Sequence, residues 1–405
     1  MTSTTAPTAR RFPRAAPDGL IASVLLAFLA TAGLFYVNIM SAIVAGVTDG
    51  LHVSEQQAGW VGSANVYGAA LGALIAVFIV KRIAWRPASI AALLALIAID
   101  VGSTLITSID VLIGVRFLHG LIGGALVGLA FGVVSRTKSP DRVFGMLLAV
   151  QFGLGGLGVM FLPPLAPIYG TQALFFALAA FSTVTLLMVP FLDDYPLDRA
   201  PAGASAVATD AKIRWAPLIA TLLAVFLFQA GNMALGAYIF GVGRGYGLET
   251  NFISAAVGWA TWIGILGCLF VIVLGIRFGR AKLMAFAMVM TLIGTLAFHF
   301  SADPIVFVAA NVGTSITWSF VISYLLGMSA EFDRAGRTAA MAGFASKMGL
   351  ASGPIFGGLL IGDHVYGPLI NISALVLGLS TVAMLWPAAL LDKTRTSSPN
   401  ATETP

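Results

Sequence analysis

Asp100, Arg116 and Lys347 are the charged residues of this chain that fall well inside long apolar runs, and with His119 beside Arg116 they are the first candidates for chemistry. A charge in hydrocarbon is unfavourable unless it is paired or hydrated, which makes each one a functional candidate by default. Asp100 lies about eight residues before a polar turn, and Arg116 and His119 lie about six to nine after it. At 1.5 Å per residue, two antiparallel helices bring all three to one depth, roughly 10–14 Å below the membrane surface. Such a carboxylate–guanidinium–imidazole group can exchange protons if its access to water changes, because burial favours the neutral acid and a nearby cation favours the carboxylate. The same three residues can equally form a static salt bridge that pins one helix to the next.

Lys347 stands about ten residues into its own apolar segment, too deep for its ammonium to snorkel easily to the surface. No acid in the second half of the chain lies at comparable depth. An unpaired ammonium there implies a water-filled cavity, an anionic substrate or an amine that has given up its proton. Pairing with Asp100 or with carbonyls of the other half is the alternative. Gln151, Asn38, Gln229, Asn232 and Asn65 add uncharged polar groups within apolar segments. Each suits either a cavity wall that binds substrate or a hydrogen bond between helices.

The elements that must position these groups are membrane helices. With 59% hydrophobic and 10% charged residues, the composition is far from that of a soluble globular domain. Continuous apolar runs without polar alternation exclude a β-barrel. Twelve segments are expected, at 20–46, 57–80, 88–107, 111–135, 142–167, 171–190, 215–240, 252–276, 283–299, 304–327, 338–361 and 367–390. With the N-terminus inside, all 22 Lys and Arg residues fall in cytoplasmic stretches except Arg244, in an outer loop, and the intramembrane Arg116 and Lys347. That bias predicts that both termini are cytoplasmic. It also makes the net charge of +5 a topology signal, with no nucleic-acid partner expected. The single cysteine, Cys268, excludes an internal disulfide and a cysteine-based metal site.

The segments divide into two halves that look like copies. Gly50-Leu51 recurs as Gly247-Leu248, Gln151-Phe152-Gly153-Leu154 aligns with Lys347-Met348-Gly349-Leu350, and Ser182-Thr183-Val184 recurs as Ser380-Thr381-Val382. The offsets are nearly constant (247 − 50 = 197, 347 − 151 = 196, 380 − 182 = 198). The expected organisation is a cytoplasmic tail at 1–19, a six-helix bundle at 20–190 and a polar linker at 191–214. A second bundle follows at 215–390, then a disordered tail at 391–405. Repeated halves with a site between them are the architecture of a rocking transporter.

Three local patterns make residues 18–392 resemble the major facilitator superfamily. The basic loop after the second helix reads Lys81-Arg82-Ile83-Ala84-Trp85-Arg86, and its second-half counterpart reads Arg277-Phe278-Gly279-Arg280; both lack the family's acidic member. On the fourth helix Arg116-Phe117-Leu118-His119-Gly120 is similar to the Arg-x-x-Gln-Gly of proton-coupled efflux members, with histidine for glutamine. Gly349-x-x-x-Gly353-Pro354-x-x-Gly357-Gly358 spells the antiporter signature, on helix eleven where the family has it on helix five. The resemblance implies an all-α fold of twelve transmembrane helices in two pseudo-symmetric bundles. It also implies gating or packing roles for Arg82, Arg277, Gly279, Arg280, Gly353 and Pro354.

The expected activity is secondary transport of a small organic solute by alternating access, coupled to protons and in the export direction. Proton symport importing an organic anion such as a carboxylate is the alternative, and a membrane sensor that moves nothing is a distant third. Asp100, Arg116 and His119 are assigned to proton coupling; Lys347, Gln151, Asn38, Gln229, Asn232 and Asn65 are assigned to substrate. No enzyme chemistry is expected: there is no Gly-x-x-x-x-Gly-Lys-Ser/Thr, no HExxH, and Gly153-x-Gly155-x-x-Gly158 follows no strand. No cofactor and no metal are expected. The protein is read as a monomer in the lipid bilayer of a cytoplasmic (inner) membrane, with substrate and protons as its partners.

Overall fold

The computed structural model describes residues 13–80, 82–196, 214–332, 337–362 and 365–396. Lys81, most of the expected linker (197–213) and the ends of both tails (1–12 and 397–405) lie outside the described residues. The described chain is helical and holds no strand, only one isolated bridge between Gly362 and Val365. The first half contains α1 (Leu20–Ala32), α2 (Phe35–Asn38), α3 (Met40–Leu51), α4 (Glu55–Ile79), α5 (Trp85–Ser103), α6 (Ile109–Val134), α7 (Pro140–Tyr169) and α8 (Gln172–Met188). The second contains α9 (Trp215–Ala237), α10 (Ile239–Gly245), α11 (Thr250–Ile263), α12 (Ile265–Leu274), α13 (Arg280–Ala297), α14 (Pro304–Glu331), α15 (Arg337–Leu359) and α16 (Gly367–Thr396).

Among the described residues, ten helical stretches are long and apolar enough to cross a membrane. The other two expected segments depart from that pattern for visible reasons. The first is broken at Gly33-Leu34 and again at Ile39 (φ −112°, ψ 26°), leaving Leu20–Ala32 and Met40–Leu51 as shorter apolar helices. The eleventh, α15, has 23 residues but is diluted by glycine, serine and Lys347. The seventh segment breaks at Tyr238 (φ −106°, ψ 14°). That break repeats the one at Ile39 at close to the sequence offset (238 − 39 = 199).

Two boundaries need correction. The polar stretch after the sixth segment does not start as linker, because Val189–Phe191 form a 3₁₀ turn and Leu192 and Tyr195 are buried against the first bundle. Arg86 binds the carbonyls of Leu192 and Asp193, Arg136 donates to the Tyr195 carbonyl (2.9 Å), and Arg14 pairs with Asp194. At the far end α16 continues to Thr396, past the expected start of a disordered tail at 391. Its Asp392 accepts from the backbone N–H groups of Arg280 and Ala281 (both 3.0 Å) and so caps α13. Asp194 and Asp392 are themselves 198 positions apart (392 − 194 = 198), and each ties the end of its half to the start of that half's third segment.

Close helix packing rests on missing side chains. Gly120, Gly124, Gly128 and Gly132 form the four-residue stripe on α6, and α4 answers with Gly68 and Gly72. A Cβ on Gly124 would collide with the Ala69 carbonyl oxygen, and one on Gly72 would collide with that of Leu121. Small residues let such backbones touch where lipid supplies no hydrophobic drive. In the second half Gly349, Gly353 and Gly357 do the same for α15 against α9; a Cβ on Gly353 would lie 2.7 Å from the Ala234 nitrogen. Gly279 enters α13 at φ +79°, a conformation that suits glycine. We expect Gly124→Ala to destabilise the detergent-purified protein by about 1–3 kcal/mol through overpacking. Gly313→Ala, where a Cβ meets nothing within 4 Å, should leave the melting temperature unchanged or raised.

Candidate functional site

The turn between α5 and α6 brings Asp100, Arg116 and His119 together. Arg116 Nη1 donates to Asp100 Oδ1 at 2.7 Å, and His119 Nε2 lies 3.3 Å from the same oxygen. Arg116 also donates to Ser103 Oγ and to the Ile99 carbonyl (3.3 Å), with its guanidinium 4.6 Å from the centre of the Phe175 ring. Asn65 of α4 completes the group: its Nδ2 reaches the Arg116 carbonyl (3.1 Å) and His119 Nδ1 (2.8 Å). With Nδ1 accepting from that amide, the imidazole proton sits on Nε2 and points at Asp100. Asp100 and Arg116 are fully buried and His119 nearly so. Arg116 Nε and Asp100 Oδ2 have no hydrogen-bond partner among the described residues. The group is therefore sealed inside the first bundle, away from the second half.

Asn65 consequently faces α6 and not a cavity. Two residues on, and so on the opposite side of the helix, Tyr67 meets the other half: its hydroxyl lies 2.8 Å from Ser352 Oγ of α15. Ser352 gives its own proton to the Met348 carbonyl, so Tyr67 is the donor. Two further contacts bridge the halves nearby. Trp262 of α11 donates to the Gly153 carbonyl of α7 (3.0 Å), and the rings of Phe152 and Trp318 meet edge-on at 6.5 Å. A Cβ on Gly156 would collide with the Trp262 indole nitrogen, so that helix crossing requires glycine.

Farther along, the halves close at the end that carries the short α3–α4 and α10–α11 turns. Arg244 makes a bidentate pair with Asp49 (2.8 and 2.6 Å), and Tyr366 donates to Glu55 (2.9 Å). Burial and the neighbouring Glu55 carboxylate hold the Tyr366 hydroxyl proton more firmly than usual. Gly358 packs on Gln56. Arg244, the lone basic residue expected in the outer loops, is thus an inter-half ion-pair partner.

Lys347 lies on the basic side of this closure. At 100° per residue, Lys347, Ala351, Pro354 and Gly358 share one face of α15. Pro354 and Gly358 on that face sit against Gly59 and Gln56 of α4. Antiparallel register then sets Lys347 level with Tyr67, at the point beyond which α4 turns Leu71, Leu74 and Ile75 outward and exposed. Lys347 is half-buried and has neither hydrogen bond nor ion pair among the described residues. It does not pair with Asp100, whose partners are Arg116 and His119.

The remaining expected residues divide. Gln151 is half-buried with no hydrogen bond among the described residues, next to Phe152. Asn38 lies at the first-segment break, its Cβ close to Gly155, with Nδ2 lacking a partner among the described residues. Asn232 donates to its own helix at the Phe228 carbonyl (2.8 Å). Gln229 is buried and doubly engaged: it accepts from Trp318 Nε1 (2.8 Å) and donates to Ser346 Oγ (2.8 Å), so it ties α14 to α15. Arg82 and Arg277 are exposed and form no ion pair among the described residues, and Arg280 pairs with Glu331 of its own half. Gly353 packs within its half, and the Pro354 carbonyl accepts from Tyr238. Trp262, Trp318, Phe152 and Ser352 escaped the sequence reading. Trp262 and Trp318 carried a signal, since both stand mid-segment and tryptophan in membrane helices favours the ends.

The sequence profile of the Major Facilitator Superfamily matches residues 23–325. The fold is similar to that of the nucleoside transporter NupG, with TM-score 0.73 at 13% identity over 92% of this chain and 99% of that one. A point mutant of the same nucleoside transporter gives 0.72 at 13%, over 92% and 100%. A D-xylose–proton symporter matches with TM-score 0.66 at 15% identity, over 91% of this chain and 97% of the other. No curated protein matches the sequence.

The sealed pair makes a measurable stability claim. Asp100→Leu leaves the Arg116 guanidinium buried without its counter-ion and should cost about 3–5 kcal/mol. The double replacement Asp100→Leu/Arg116→Met should recover most of that loss, read as melting temperature in the same detergent.

Proposed function

Because the chain belongs to the Major Facilitator Superfamily, we propose that this transporter moves a small organic anion by alternating access, driven by protons. We also propose twelve membrane crossings with both termini in the cytoplasm, in a cytoplasmic membrane and as a monomer. In that orientation the Asp49–Arg244 end is the outer one, and the contacts between the halves describe a state closed to the outside. The observation that carries the reading is Lys347: a cation in mid-helix with neither hydrogen bond nor ion pair among the described residues. An ammonium without a protein counter-ion at that depth gains most from a ligand that brings the missing negative charge. Gln151, its repeat partner, offers a hydrogen bond from the facing half.

Proton coupling is assigned to Asp100 and His119, with Arg116 fixing the carboxylate. His119 Nδ1 now accepts from Asn65. If the imidazole takes a second proton, that contact becomes donor against donor and the Asn65 amide must turn or withdraw. Asn65 and the inter-half donor Tyr67 share one turn of α4, so a shift of that helix reaches the Tyr67–Ser352 contact directly. Export is the preferred direction, on the likeness of the Arg116–Gly120 pattern to efflux members. Import by symport is the second reading, favoured by a lone cation suited to an anion carried inward with a neutralising proton.

In proteoliposomes, Lys347→Ala should abolish anion flux while leaving monodisperse, folded protein; undiminished flux would remove Lys347 from the substrate site. Asp100→Asn keeps the shape of the side chain and should permit counterflow while losing the response to ΔpH; a full response would refute the proton assignment. Inverting the imposed pH gradient separates the directions: accumulation against an inside-acid gradient marks antiport, and accumulation with an outside-acid gradient marks symport.

A further inference from the structure

Aromatic residues adjoin a hydrogen-bonded chain that ends at the residue before Lys347. Gln229 links Trp318 Nε1 to Ser346 Oγ through two hydrogen bonds of 2.8 Å, and Ser346 is the residue before Lys347. Along this path Trp318 Nε1 is at most roughly 14 Å from the Lys347 Cα, and its indole N–H is already taken. What Trp318 still offers a ligand is its π face. Phe152, from the other half, meets Trp318 edge-on at 6.5 Å and adjoins the unpaired Gln151. The hydrogen-bonding groups that could hold a hydroxyl-rich solute at this level are largely engaged: Gln229 on both ends, Ser352 by Tyr67 and Met348. What remains among the described residues is the Lys347 cation, the Gln151 amide, Asn38 Nδ2 and two ring surfaces contributed by opposite halves.

From this arrangement we infer that the site selects aromatic carboxylates: the carboxylate is bound at Lys347 and the ring packs against Trp318 and Phe152. The inference rests on the reading of Lys347 as the substrate cation and adds what the rest of the ligand must be. Offset or edge-on ring contacts add roughly fivefold in affinity beyond area burial, so the ring is a preference and the charge a requirement. Because the two rings come from opposite halves, a bound aromatic also bridges the bundles at the level where they part.

Three probes of similar size separate charge from ring: benzoate, cyclohexanecarboxylate and benzyl alcohol, titrated calorimetrically into the full chain in nanodiscs at pH 7. Benzoate should bind roughly fivefold more tightly than cyclohexanecarboxylate, and benzyl alcohol should bind far more weakly than either. Trp318→Phe, which keeps a ring but loses the bond to Gln229, should retain the preference. Trp318→Leu should level the two acids without abolishing binding, and Lys347→Met should abolish binding of both. Equal affinity for the two acids, or an unchanged preference in Trp318→Leu, would overturn the aromatic inference and leave the anion reading standing. Binding of neither acid, or binding of both to Lys347→Met as to the parent, would overturn the anion reading and this inference with it.

Discussion

Hydrocarbon offers no water to a stray charge or an idle hydrogen-bonding group, and that constraint organises nearly everything in this molecule. It is met in the first bundle by folding Asp100, Arg116, His119, Ser103 and Asn65 into one mutually bonded group away from lipid. It is met at the ends by placing Arg14, Arg86, Arg244 and Arg280 against acids. Against that background the unpaired Lys347 stands out. Among the described residues it is a cation without a hydrogen bond or ion pair, where the other intramembrane charges have one.

The second organising feature is α4, which carries different duties on opposite sides. One side lies so close to α6 that glycines on both helices are required. This is also the side through which Asn65 reads His119. The other side meets α15 through Tyr67 and Gln56 and forms the junction of the halves. Backbones already in contact leave little room for local adjustment on the first side. The first and seventh segments are both broken, with non-helical residues at Ile39 and Tyr238 in corresponding places of the two halves.

Much of the site was legible in the chain. The common depth of Asp100, Arg116 and His119 followed from counting residues on either side of one turn, because membrane helices convert sequence distance into depth with little freedom. Which way Lys347 faces did not follow, since depth says nothing about azimuth. Asn65 and Gln229 show the limit. Both are polar residues in apolar helices, and sequence alone cannot tell a cavity wall from a bond to a neighbouring helix. Asn65 went to His119, and Gln229 went to Trp318 and Ser346. The linker and tail boundaries shifted because polar composition marks where lipid ends, whereas helix and tertiary contact can continue beyond it, as Tyr195 and Asp392 do.

What the sequence settled by itself were properties that depend on one helix at a time: apolar length, the bias of basic residues, the repeat between halves and the depth of each buried charge. The tertiary structure decided which groups face each other across helices. It set Arg116 in a closed network and left Lys347 without a hydrogen bond or ion pair among the described residues, although the chain presents both as lone cations in apolar runs. The difference arises because pairing is a matter of rotation about helix axes and of which helices are neighbours. Both are fixed only when the glycine stripes, broken segments and inter-half contacts are satisfied together.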